Sequence, residues 1–118
     1  MPWMSEPYLR EKFGNAVDGL ATSPAPLWER VINAMVTLVM FVPDDMPDRF
    51  SREEFARLRY LTTDREAEAD EGQLRATLEP METEGLRELA GIIVRLHNHL
   101  LRRTDATYAA EQEPRAPA

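Results

Sequence analysis

Apolar residues recur every three to four positions through most of the chain, the period of α-helices buried on one face. The first such segment predicts a helix from Glu6 to about Leu20. Leu9, Phe13, Val17 (with Ala16) and Leu20 form its stripe, opposite Arg10, Glu11, Asn15 and Asp18. Ser5 is placed to cap it, with Glu6 and Pro7 in the first turn, where an acid and a proline are both favoured. Gly14 and Gly19 weaken the segment somewhat.

The run Thr22-Ser23-Pro24-Ala25-Pro26 breaks the chain, and a second helix is expected from about Leu27 to Val42, begun by Ser23 or Ala25 and stopped by Pro43. Leu27, Val31 and Met35 share a face opposite Glu29, Arg30 and Asn33. From Ala34 onward the segment is apolar nearly all round, which predicts a central helix covered on every side. A strand would suit the same β-branched letters, but no second strand exists for it to pair with.

After a turn at Pro43–Asp48, a third helix begins at either Pro47 or Ser51. The later start would make Ser51 and Glu54 a capping box with a Phe50–Phe55 staple; the earlier one would not. Phe55, Leu58, Leu61 and Tyr60 are read as inward-facing. Thr62 to Gly72 is a polar, acidic linker. A short helix over Glu71–Glu79 would bury Leu74 and Leu78 and end near Pro80. The last helix, capped by Thr83, carries Leu86, Leu89, Ile93, Leu96 and Leu100 at steps of 3, 4, 3 and 4, widened by Ile92 and Leu101. That pattern suits bundle packing more than an isolated zipper. The prediction is an all-α, four- or five-helix bundle, mostly antiparallel because its connections are short, with residues 1–108 as one domain and 109–118 as a disordered tail.

Composition narrows the function classes. The 118 residues carry a net charge of −7, with 43% hydrophobic and 30% charged residues, a globular balance for one domain. Without cysteine there are no disulfides, no thiol catalysis and no cysteine-ligated zinc. The N-terminus lacks the basic start and apolar run of a signal peptide, and the longest apolar stretch, Val31 to Val42, is too short to span a membrane, which needs about 20 residues. A cytoplasmic protein is expected. Arginine outnumbers lysine thirteen to one, a bias in keeping with a GC-rich bacterial genome.

Candidate chemistry is sparse. His97-Asn98-His99 has the letters of a nuclease motif but lies within a helix, where residues two apart diverge by about 200° and cannot share a metal. The acids of 64–71 lack the glycine and terminal glutamate of a calcium loop, since Ala69 and Arg75 occupy those places. Asp44, Asp45 and Asp48 are explained by turn chemistry around Pro43 and Pro47. No phosphate loop, nucleophile elbow or cooperating titratable pair is legible, so no catalytic, cofactor or metal site is assigned. Two apolar features remain: Met35, Val36, Val39, Met40 and Phe41 on the second helix, and Ile92, Leu96 and Leu100 on the last. These eight form the candidate partner interface, because short helices with narrow stripes leave some of that surface to cover. The expected function is a non-enzymatic protein–protein interaction module, an adaptor, regulator or accessory subunit of a bacterial system that binds another chain or itself. The alternative is a nucleic-acid-binding regulator using Arg52, Arg57 and Arg59 of the third helix, which the acidic net charge disfavours.

Overall fold

The computed structural model describes residues 5–62 and 71–105. Its helices are α1 (Glu6–Thr22), α2 (Leu27–Leu38), α3 (Arg49–Thr62), α4 (Glu71–Leu78) and α5 (Thr83–Arg102), with one 3-10 turn at Pro43–Asp45. The chain is an all-α bundle, as its periodicity predicts. The acidic segment 63–70 and the tail 109–118 lie outside the described residues.

Helix α5 is the axis of packing: α1 and α3 lie against it, and α2, which packs chiefly on α1, also reaches it, while α4 closes over α2. One core joins all five helices. Leu9, Phe13 and Leu20 of α1 meet Val31, Met35 and Leu38 of α2, Phe55 and Leu58 of α3, Leu74 and Leu78 of α4, and the α5 stripe. Its aromatic centre is Phe13, stacked on Phe41 at 6.3 Å and edge-on to Phe55 at 6.0 Å, with Tyr8 edge-on to Phe41 at 5.9 Å. These are the favoured offset and T-shaped pairings.

The ends of the helices show what local sequence governs and what it does not. Ser5 caps α1, its hydroxyl accepting from the Tyr8 amide. Helix α2 stops at Leu38, four residues before the expected Val42. Pro43 disfavours helical backbone at Val42. Val39 and Met40 turn out of the helix, and the Phe41 amide reaches back to the Leu38 carbonyl, which lets Phe41 fold into the core. The Arg59 guanidinium of α3 holds the carbonyls of Val39 and Phe41. Arg30 does the same for the end of α1, donating to Leu20 O at 2.7 Å and Ala25 O at 2.8 Å. Neither Ser23 nor Ala25 caps α2, which starts after Pro26 without a side-chain cap.

Helix α3 starts at Arg49, between the two expected boundaries at Pro47 and Ser51. Asp48 accepts from the Ser51 amide at 3.0 Å while Ser51 Oγ accepts from the Asp48 amide at 3.3 Å, a reciprocal cap one turn ahead of the Ser51–Glu54 box. Phe50 therefore points outward instead of stapling onto Phe55, and Tyr60 is exposed rather than inward. Helix α5 is preceded by Glu82, not capped by Thr83, and Leu101 lies on its exposed face.

Candidate functional site

Two places stand out: a buried carboxylate held by a histidine and an arginine at one end of the bundle, and an exposed apolar ridge where α2 ends. The first was not read from the sequence. Asp48 is fully buried at the N-cap of α3. Its Oδ1 accepts from the Ser51 amide and hydroxyl, and its Oδ2 from His99 Nε2 at 2.7 Å and Arg103 Nη1 at 2.9 Å. Arg103 turns its other edge to Glu6, with Nε and Nη2 on the two carboxylate oxygens at 2.9 and 3.1 Å. Phe50 covers the imidazole, ring centroids 4.7 Å apart.

The placement follows helix electrostatics. Glu6 and Asp48 sit at the N-termini of α1 and α3, where the backbone dipole favours anions; His99 and Arg103 sit at the C-terminus of α5, where it favours cations. Burial alone would raise the Asp48 carboxyl. The His99 hydrogen bond, then the Ser51 amide and hydroxyl and the charge of His99, outweigh it and hold the group well below the usual carboxylate range. With the carboxylate ionised, His99 Nε2 carries the proton it shares.

What this node does chemically is bind three helix ends together. Ser51 directs its hydroxyl to Asp48 and not to His99, so the trio lacks the nucleophile-to-base contact that acyl transfer requires. Among the described residues, no group of three or more histidines or acids is arranged to hold a metal ion. The three turn aspartates separate: Asp45 accepts from the Val42 amide, Asp44 faces solvent, and Asp48 is buried. The His97-Asn98-His99 triplet fans out as its helical position requires. His97 lies beside Gly14 of α1, where a Cβ would stand 3.4 Å from Nε2, and burial lowers its pKa. Asn98 is exposed, and His99 points inward.

The signal for the node was present in the α5 stripe. His99 and Arg103 lie three and seven residues beyond Leu96, on the buried face, so each needed an internal partner. No local feature names that partner, which comes from 51 positions away for His99 and 97 for the Arg103–Glu6 pair.

Of the eight residues read as a partner surface, Met35, Phe41, Ile92, Leu96 and Leu100 are packed inside the chain's own core. Val39 is half-buried. Val36 in α2 and Met40 just beyond its end are 41% and 51% exposed, and Val42 is 48% exposed. Tyr8 of α1 reaches this ridge, its hydroxyl 3.5 Å from Met40 Sδ. The arginines read as a nucleic-acid surface are engaged within the chain: Arg52 donates to Met46 O, Arg57 pairs with Glu88, and Arg59 holds the end of α2.

No helix among the described residues is long and apolar enough to cross a membrane. No family model, curated protein or solved structure matches the chain.

Proposed function

We infer that the protein is a non-enzymatic interaction module, an adaptor, regulator or accessory subunit that binds another protein chain or a second copy of itself through the end of α2. The observation that carries this reading is the ridge of Val36, Met40 and Val42. Three large apolar side chains, each between two-fifths and about half exposed, fall within seven residues at the end of α2, while Val31, Ile32, Met35 and Leu38 of the helix are buried. Large apolar side chains left in water are a mark of docking sites, and a methionine among them adapts to a partner's shape. A cytoplasmic setting belongs to the same reading, in keeping with a cysteine-free chain.

The test is capture from the native host with the full-length protein and a Val36→Asp/Met40→Asp variant as baits. Both positions are exposed, so circular dichroism of the variant should match the wild type. A partner recovered in near-stoichiometric amount by the wild type and lost from the variant supports the reading. Equal recovery by both, or a wild-type bait that comes down alone and is monomeric by light scattering, overturns it.

A further inference from the structure

An open depression of about 280 Å3 lies between the first turn of α3 and the last two turns of α5, lined by Phe50, Arg95, Asn98, His99 and Arg102. Among the described residues its lining holds two arginines and no acid, in a chain of net charge −7. The α5 residues stand at positions 95, 98, 99 and 102, the i, i+3, i+4, i+7 spacing of one helical face. Phe50 supplies an apolar wall: its ring rests on His99 and remains 40% exposed. Asn98, between Arg95 and Arg102 along α5, is exposed and lines the depression.

We propose that this depression docks an acidic, extended segment of a partner protein, with carboxylates at Arg95 and Arg102 and an apolar side chain between them against Phe50. Seven residues of helix rise about 10 Å between the two arginine positions, room for two carboxylates carried on one extended segment. A polyproline-II segment rises about 9 Å over three residues and returns to the same face, which matches acids three apart. The volume is at the small end for a metabolite pocket, which runs to roughly 300–1,000 Å3, and suits one anchoring side chain. Arg95 already meets Glu54, at 3.6 Å, and its side chain is half exposed; Arg102 likewise keeps contacts within the chain. The partner's carboxylates join these contacts at solvent-exposed guanidiniums, so affinity is modest and falls with salt.

The experiment is a proton–nitrogen correlation NMR titration of the full-length protein with the capped peptide Gly-Glu-Leu-Pro-Glu-Gly. Its controls are Gly-Lys-Leu-Pro-Lys-Gly, inorganic phosphate and a thymidylate hexanucleotide. The expected result is saturable shifts confined to the amides of Phe50, Arg95, Asn98 and Arg102 with the acidic peptide alone. Arg95→Glu/Arg102→Glu should weaken binding about tenfold or more. Asn98→Asp, a single change at an exposed position, should weaken it in the same direction and serves where the double variant is not folded by circular dichroism. Absence of saturable shifts overturns the proposal. So does equal binding of the lysine peptide, or binding of phosphate at the same affinity, which would make the depression a simple anion site. Tighter binding of the oligonucleotide would assign it to a single-stranded nucleic acid instead.

Discussion

Asp48 is the residue on which most local order converges. It caps α3, bonds to His99 and Arg103 of the α5 C-terminus and is buried completely. Asparagine would still cap the helix but would remove the charge that His99 and Arg103 face. Asp48→Asn is therefore expected to cost about 3 kcal/mol, the usual scale for breaking a buried pair from one side, measured by urea unfolding at neutral pH. The pH dependence has a definite sign. The folded-state pKa lies below the ordinary value of 3.8, so the unfolded chain binds the proton more readily. The stability Asp48 contributes is full above the unfolded value and is lost as pH falls below it toward the folded one. Wild type and Asp48→Asn should differ by a constant amount above about pH 5 and converge in acid. A difference that stays constant down to the acid limit would contradict the low carboxyl pKa.

At the scale of elements, arginine is the fastening of this bundle. Arg30 holds the end of α1, Arg59 the end of α2, and Arg103 ties α5 to α1 and α3. Arg30 and Arg59 satisfy backbone carbonyls at and just past helix ends, and Arg103 bonds the carboxylates of Asp48 and Glu6. Arg59→Met keeps the length of the stem and removes the donors. It should destabilise by roughly 1–3 kcal/mol in thermal unfolding, with hydrogen exchange speeding first around Val39 and Phe41. These fastenings also mark the limit of what the sequence makes legible. The stripes of α1, α4 and α5, the Ser5 cap and the buried pair Leu74 and Leu78 follow from local spacing, and so they were readable. The early end of α2 was not, because Arg59 holds it from 18 and 20 positions away. The Asp48 cap is not legible locally, because Ser51 fits two caps equally well by letter. The choice is made by His99 and Arg103, which no local rule connects to it.

For the whole molecule, the division between core and ridge makes two substitutions diverge. Leu96 is fully buried in α5 and Met40 is half exposed at the end of α2. Leu96→Ala should cost about 2–5 kcal/mol, and Leu96→Asp should abolish the cooperative unfolding transition. Met40→Asp should leave the melting temperature within a few degrees of wild type while weakening association. A Met40→Asp variant that unfolds would place that side chain in the core and remove the ridge as a docking surface.

The central claim is that the end of α2 touches another chain, and site-specific photocrosslinking tests it most directly. Met40→benzoylphenylalanine, expressed in the native host and irradiated, is compared with the same probe at Arg87, an exposed position on α5. The account predicts one discrete adduct from position 40 and none from position 87. No adduct from position 40, or the same adducts from both, would contradict it.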